Sequence, residues 1–438
     1  MQAERAAQRL DDVRAGVVGV RRDVARDRVR MGRAEAARAA GVVDELREHL
    51  RRDFFAFYAS YDPLFDWWAT EPWKAADEAL GELALAIRAK LVGGNGGVVV
   101  GGEPIGREAL LVELEAELVA YSPEELVEIA NDQYRWSERQ MREASRAMGF
   151  GDDWRQALER IKAQSEPPGR QPELVVGLAR EAADFVRRHD LVTVPRLAEE
   201  TYRVTMMSAE QQRLAPFFLG GPSIQVAYPT ADMAQPLKRM VMRGNNRHLA
   251  RATALHELIP GHRLQLFAME RRAAHRRGLA TPFFVEGWAT YWEMALWRRG
   301  DFFDSPEGRV GTLFWRMHRC ARLVLSLRFH TGQLTAPECV DLLVRWVGHE
   351  RATAEAEVRR WFDADYPPLY QAAYLVGALQ LLELRRELVD AGRLTEKQFH
   401  DRLLTLGAVP VELARALLLD TELDSDYKAR WRWYKLRT

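Results

Sequence analysis

The sequence predicts a mainly α-helical chain with one small β element near residues 218–243. Three observations support this class. Apolar residues recur every three or four positions through most of the 438 residues, as they do on amphipathic helices. Ser, Thr, Pro and Gly stand at the ends of these stretches, where such residues cap or end helices. Alternation of β-branched and polar residues is confined to one short region, so little sheet is expected.

The N-terminal third is predicted to consist of long amphipathic helices and one glycine-rich loop. One or two helices are expected over Glu4–Arg51. The segment Gly93–Gly106 predicts a loop or a small hairpin, and it lacks the patterns of a phosphate-binding loop. A helical hairpin is expected over Arg107–Met148. Its second helix should begin at Ser122-Pro123, because Ser caps a helix and Pro fits its first turn.

The remainder of the chain is predicted to be helical around one short β region. Residues Pro216–Arg243 alternate β-branched and polar residues with turn signals, which predicts two or three strands in the only sheet. Helices are expected at Asp153–Ala163, Gln171–Arg188, Val194–Thr205, His248–Arg277, Pro282–Arg299, Gly308–Thr331, Ala336–Val347, Ala352–Trp361, Tyr370–Ala391, Glu396–Leu406 and Pro410–Leu418.

Composition indicates a chain with a large core and no strong electrostatic preference. The chain is 47% hydrophobic and contains 13 Trp, which suffices for one large domain or for two closely packed ones. We expect an N-terminal helical region, residues 1–106, packed on a helical catalytic region, residues 107–438, within one continuous domain. Lys plus Arg equals Asp plus Glu at 63 each, so neither nucleic acid nor a membrane is expected as a partner. A small-molecule or peptide substrate is expected, and the oligomeric state stays open.

The cysteines and the N-terminus predict a cytoplasmic location. Cys320 and Cys339 are too few for a disulfide framework or a cysteine-rich zinc site, which fits a reducing compartment. The first 16 residues are charged throughout and do not resemble a signal peptide. No run of 18 apolar residues predicts a membrane span.

The segment His256-Glu257-Leu258-Ile259-Pro260-Gly261-His262 is the strongest chemical signal, because it places two imidazoles and a carboxylate inside an apolar helical stretch. In the HExxH arrangement two His one turn apart bind Zn²⁺ and the Glu acts as general base. Here the second His comes six residues after the first, about 240° round an unbroken helix. We therefore predict that Pro260 and Gly261 interrupt the helix and bring His262 to the same metal as His256.

A second apolar helix with acidic residues provides the best third ligand. Glu286 and Glu293 are seven residues apart and share a face. We predict that Glu286 binds the metal and that Glu293 orients a ligating imidazole. For Glu293, a solvated or ion-paired position on the helix surface is the alternative reading.

These two segments resemble the bacterial family known as domain of unknown function 885, with its pattern HExxPGHH followed by EGWAxYxE, which is similar to the helical gluzincin metallopeptidases. Weaker similarity extends over Gly102–Glu125, Arg319–His330 and Gln371–Arg385. The resemblance implies a large helical fold around a central cleft and a metal-dependent hydrolytic activity.

The chain also departs from the family pattern around the site. Arg263 replaces the second adjacent His, Ser326 and Arg328 replace an Asp and a Gly, and the late PGQA begins with Leu369-Tyr370. These changes predict a substrate other than a generic peptide.

Four more residues are candidates for substrate contacts. Tyr374 could donate a hydrogen bond to an oxyanion, although a core position explains it equally well. Arg319 and Arg322, three residues apart, could bind a substrate carboxylate together with His330, or form ion pairs.

The predicted function is therefore that of a metal-dependent hydrolase resembling zinc metallopeptidases, with one Zn²⁺ and Glu257 as general base. Two His and one carboxylate also suit Fe²⁺ or another divalent metal. The alternatives are a Zn or Fe enzyme of small-molecule or specialised metabolism acting on a non-peptide substrate, and a non-catalytic helical scaffold.

Overall fold

Almost every secondary-structure element of the protein is a helix. The structure is a computed structural model, and it describes residues 2–93, 100, 102–208, 211–212, 218–219, 223–362 and 366–436. The chain divides into two compact units, one of residues 1–103 with 362–364 and one of residues 104–361 with 365–438. The mainly α class is confirmed. No described helix is long and apolar enough to cross a membrane.

The first unit is built from four α-helices and two π-helical turns. They span Ala3–Ala25, Arg33–His49, Leu50–Phe55 (π), Ala56–Ala59, Pro63–Ile87 and Arg88–Val92 (π). Its core lies between the first and the longest helix, where Phe65 and Trp73 are buried. Trp73 stacks on Phe55 with 5.2 Å between the ring centroids. Of the predicted Gly93–Gly106 loop, residues 94–99 and 101 lie outside the described residues.

The second unit contains the remaining helices. Its α-helices span Arg107–Ala116, Pro123–Ala147, Trp154–Lys162, Gln171–Arg188, Arg196–Glu200, Gln235–Gly244, Arg247–Glu257, His262–Arg271, Pro282–Arg299, Pro306–His330, Ala336–Val347, Arg351–Trp361, Tyr370–Arg385, Glu396–Leu406 and Val411–Leu419. A 3₁₀ turn covers Ala274–Leu279 and a π turn covers Arg386–Asp390. The predicted restart at Ser122-Pro123 is confirmed, since Ser122 and Glu125 form a reciprocal capping box.

The described strands form one three-stranded sheet in the second unit. Strand Arg203–Met206 lies parallel to Ser223–Val226, which pairs on its other side with Phe218–Leu219 in the antiparallel sense. The predicted helix Val194–Thr205 is wrong in its last residues, because the chain leaves the helix at Glu200 and enters the first strand.

The predicted strands after the sheet are also wrong, since residues Gln235–Gly244 form a helix. Pro236 occupies its first turn, where the missing N–H costs nothing. The apolar residues of this segment lie on one face of the helix, and Val241 is buried. A seven-residue stretch of mixed apolar and basic residues fits both the period of a helix and the period of a strand, so tertiary packing decides which of the two forms.

Three helices of the second unit pack closely around the candidate site. Helix Pro306–His330 is buried along most of its length, and Pro282–Arg299 crosses Tyr370–Arg385 at Gly287 and Gly377. A Cβ on Gly377 would lie 1.9 Å from the carbonyl oxygen of Phe283. Only glycine lets the two backbones come so close, and this contact sets the distance between their polar side chains.

Candidate metal centre

The predicted interruption of the helix is present. Helix Arg247–Glu257 ends one residue after His256, and the next helix begins at His262. The peptide bond before Pro260 is cis, and the carbonyl of Pro260 accepts a hydrogen bond from the indole of Trp288 at 2.9 Å. A Cβ on Gly261 would lie 1.9 Å from the carbonyl oxygen of His256, so this turn accepts no larger residue.

The interruption brings both imidazoles to one carboxylate oxygen. Oε2 of Glu286 lies 3.4 Å from Nε2 of His256 and 3.2 Å from Nε2 of His262. The two imidazole rings are nearly perpendicular, at 85°. Ligand atoms at about 2.0–2.1 Å from a tetrahedral zinc ion are separated by about 3.3 Å. The spacing of the three atoms therefore fits a divalent metal, as does their chemistry.

Glu257 adds a second carboxylate beside the imidazoles. Ligand atoms of His256, Glu257 and His262 all lie within 4.8 Å of one another. Glu257 is half-buried, whereas both imidazoles are buried. Glu286 contacts both Nε2 atoms directly and could therefore supply a third ligand. Glu257 would then remain beside the site, where a general base is needed.

The candidate site places two ionisable groups, His262 and Glu286, in a buried environment. Burial by itself would lower the pKa of His262, but the Glu286 carboxylate raises it to about 9. Burial would likewise raise the pKa of Glu286, yet the two imidazoles hold it well below the usual range. The Glu286 carboxylate thus stabilises a proton on the His262 imidazole. A divalent cation bound at this place would displace that proton, because a His that ligates a metal must be neutral.

Glu293 and Arg319 support His256 from behind. Oε1 of Glu293 lies 2.7 Å from Nδ1 of His256, and Nη2 of Arg319 donates to the same oxygen at 3.0 Å. Burial would raise the pKa of Glu293, but Arg319 and then His256 lower it, so the carboxylate stays ionised. An ionised acceptor at Nδ1 leaves Nε2 free to bind a metal and fixes the orientation of the ring.

Two tyrosines of the helix Tyr370–Arg385 contact residues of the candidate metal centre. The O–H of Tyr370 donates to Oε1 of Glu286 at 2.5 Å. The ring of Tyr374 lies nearly parallel to that of His256, with 6.1 Å between centroids and 14° between planes. Burial raises the pKa of both phenols, so each keeps its proton and can act as a donor.

Two of the three predicted substrate-binding residues, Arg319 and Arg322, lie over the same ring, that of Tyr374, whereas His330 lies apart from them. Arg319 is engaged by Glu293, and Arg322 is 1% exposed, bound to Gln371 Oε1 at 3.0 Å and packed 3.9 Å from the ring of Tyr374. His330 ends its helix about 16 Å beyond Arg319 at 1.5 Å per residue. There the carbonyl of His330 accepts a hydrogen bond from the backbone of residue 106.

The site also contains three residues that were not predicted from the sequence, Tyr370, Trp288 and Gln371. Tyr370 and Tyr374 are four residues apart on one helix, a spacing that could have paired them. The contacts of Trp288 and Gln371 join segments 28 and 49 residues apart, and no local pattern indicates them.

The sequence matches a known protein family over most of its length. The model of the family described as "Bacterial protein of unknown function (DUF885)" matches residues 1–418. The chain belongs to DUF885. No curated protein matches the sequence.

Two solved structures share the fold of this DUF885 chain. One is a protein of Shewanella oneidensis, provisionally named a lipoprotein of unknown function, with 17% identity and a TM-score of 0.69 over 94% of this chain and 77% of its own. The other, provisionally named a lipoprotein from Colwellia psychrerythraea, has 20% identity and a TM-score of 0.61 over 87% of this chain and 66% of its own. At these identities the likeness concerns the fold alone.

Proposed function

We propose that this DUF885 chain is a metal-dependent hydrolase, resembling zinc metallopeptidases, that cleaves an amide or peptide bond. One observation carries the proposal. Two imidazole nitrogens lie 3.4 Å and 3.2 Å from a single oxygen of Glu286, with a further carboxylate, Glu257, alongside. These distances and donor types suit a divalent cation with three protein ligands and an open position.

In this proposal His256, His262 and Glu286 hold the ion. A bound Zn²⁺ would polarise the carbonyl and make water acidic enough to attack at neutral pH. Glu257 would take the proton of the attacking water and return it to the leaving nitrogen. Tyr374, a neutral phenol beside His256, would donate a hydrogen bond to the oxygen on which negative charge develops.

The variant Glu257→Gln tests the role of the base. It should retain the metal, because the three ligands remain, while peptide turnover falls by about 10²–10⁴-fold. Metal content by elemental analysis and turnover of a peptide library measure the two effects. Glu270→Gln, an exposed change on the next helix, is the matched control and should leave both unchanged. Full activity in Glu257→Gln would remove this residue as the base.

A second candidate is an enzyme of small-molecule metabolism that uses the same metal site on a non-peptide substrate. It is favoured by two departures from the DUF885 pattern. Arg263 points away from the metal centre, and its Nε donates to the carbonyl of Ala198 at 3.2 Å. Tyr370 donates to the carboxylate of Glu286. Two His and one carboxylate also suit Fe²⁺. Stoichiometric iron together with no peptide cleavage would decide for this candidate.

The cellular location is a separate proposal. Cys320 and Cys339 are buried free thiols, which fits the reducing cytoplasm. The two similar structures are provisionally named lipoproteins, which favours a location outside the cytoplasm. We propose the cytoplasm on the basis of the thiols. Fractionation of the source cells with an antibody to the chain tests it, and recovery in the envelope fraction would contradict it.

A further inference from the structure

A cavity lies beside the helix that carries Glu286 and Glu293. Its volume is about 230 Å³, it is open to solvent, and its lining includes Leu191, Trp292, Leu296 and Leu382. This volume is below the range of about 300–1,000 Å³ that is typical of sites for drug-sized molecules, so the cavity suits a smaller ligand. None of the proposed metal ligands lines it.

The rim of this cavity is cationic. Three arginines line it, Arg298, Arg299 and Arg385, against a single carboxylate, Glu396. His400 also lines it, but burial lowers its pKa to about 4, so at neutral pH this imidazole adds no charge. Among the lining residues positive charges exceed negative ones by two, but Asp301 and Asp390 pair with Arg299 and Arg385 from outside the lining, so Arg298 carries the one charge that no carboxylate of the described residues offsets by an ion pair.

The three guanidinium groups differ in how far they are already satisfied. Arg385 donates from Nε to Glu396 at 2.9 Å and pairs with Asp390 at 2.6 Å. Arg299 pairs with Asp301 at 3.1 Å. Arg298 is exposed and forms neither an ion pair nor a hydrogen bond with any residue in the described part of the chain. A free arginine fork next to a second one can bind the two oxygens of an anionic group.

A buried donor in the same wall points to a ligand as well. Trp292 is 1% exposed, and its indole N–H has no acceptor among the residues that the structure describes. Buried donors in native proteins are almost always paired. Of the large apolar side chains in the lining, Trp292, Leu191 and Leu296 are buried and only Leu382 is partly exposed, so the surface offered to a ligand is mainly polar.

We propose that this cavity is a binding site for a small anionic molecule that carries a phosphate or carboxylate group. Arg298 and Arg299 bind the anionic group, and the indole N–H of Trp292 donates to the ligand from the cavity wall. The site is separate from the metal centre, and its existence does not depend on the hydrolase activity proposed above.

Calorimetric titration of the full chain with phenyl phosphate and with benzoate tests this site. Both probes combine an apolar ring with an anionic group and are weak chelators. Benzyl alcohol, their neutral analogue, should not bind measurably. Each titration is repeated after removal of metal with a chelator, and the affinity should be the same, which separates this site from the metal centre.

Two variants locate the binding. Arg298→Gln and Arg299→Gln should each weaken binding at least tenfold, whereas Arg393→Gln, an exposed change outside the cavity, should bind as the unaltered chain does. Binding of phenyl phosphate alone assigns the site to phosphate ligands, and binding of benzoate alone assigns it to carboxylates. Binding of neither probe, equal binding by all three variants, or loss of binding with the metal would overturn the proposal.

Discussion

Tyr370 shows how one phenol can determine the way in which a carboxylate meets a metal. Its O–H donates to Oε1 of Glu286, while Oε2 faces the two imidazoles. Glu286 is therefore held so that a single oxygen faces the place between the imidazoles where the proposed cation would bind.

Replacing Tyr370 by Phe tests that role. The ring remains in place, but Glu286 loses its donor and can rotate, so the metal should dissociate about 10–100-fold more readily. Zinc affinity measured by competition with a chromophoric chelator reports the change. Tyr366→Phe is the matched control, because that ring packs 4.9 Å from Tyr370 and no hydrogen bond of it to Glu286 is present. Unchanged zinc affinity in Tyr370→Phe would contradict the role.

The sequence could predict the principal residues of the site but not all of their partners. His256, His262, Glu286 and Glu293 stand in two short segments whose spacing carries chemical meaning. Tyr370 meets Glu286 across 84 residues, a contact that only the crossing of two helices creates. Arg319 was predicted either to bind substrate or to form an ion pair, and the structure shows an ion pair with Glu293. Nothing in the local spacing of Arg319 indicates that partner.

At the scale of elements, helices were predictable where their ends carry clear capping residues. Pro282–Arg299, Ala336–Val347 and Glu396–Leu406 begin after Thr and match the predicted bounds. Gln235–Gly244 was not predictable, because its short apolar pattern suits a strand as well as a helix.

The crossing at Gly377 gives a prediction at the same scale. In Gly377→Ala the new methyl group would meet the backbone of Phe283, so the helices must separate and carry Tyr370 and Tyr374 away from the metal ligands. We expect a loss of stability of about 1–3 kcal/mol from overpacking and weaker zinc binding. Urea unfolding and chelator competition measure the two effects.

Gly177→Ala is the control for that crossing. Gly177 lies within a helix and a Cβ there meets no heavy atom within 4 Å. This change should stabilise the helix by about 0.5–1 kcal/mol. Equal effects of the two substitutions would show that helix propensity, rather than the close crossing, governs both.

At the scale of the whole molecule, buried histidines link stability to pH. Burial lowers the pKa of His318, His330 and His400 to about 4, and that of His349 well below its ordinary value. In the unfolded chain these groups titrate near about 6.5. Between these values the unfolded chain binds more protons than the folded chain, so stability falls as the pH decreases from 6.5 toward 4.

Urea unfolding at pH 7, 6 and 5 should therefore show a decreasing free energy of unfolding. His330→Phe should make this dependence shallower, because burial alone lowers the pKa of His330. Chelator-treated protein is used throughout, so that loss of metal does not contribute. Stability that is constant from pH 7 to 5 would show that these imidazoles are protonated in the folded chain.

The helix Pro282–Arg299 has a consequence for how the site acquires its ion. Glu286, a proposed ligand, and Glu293, which contacts His256, lie two turns apart on this helix, and the helix is held in place by its packing. Their separation is therefore fixed when the chain folds, without an ion to gather them. If the proposed metal site is correct, the chain would fold without its ion and bind it afterwards, so the bound metal would depend on which ions the cell supplies at that time and not on selection during folding.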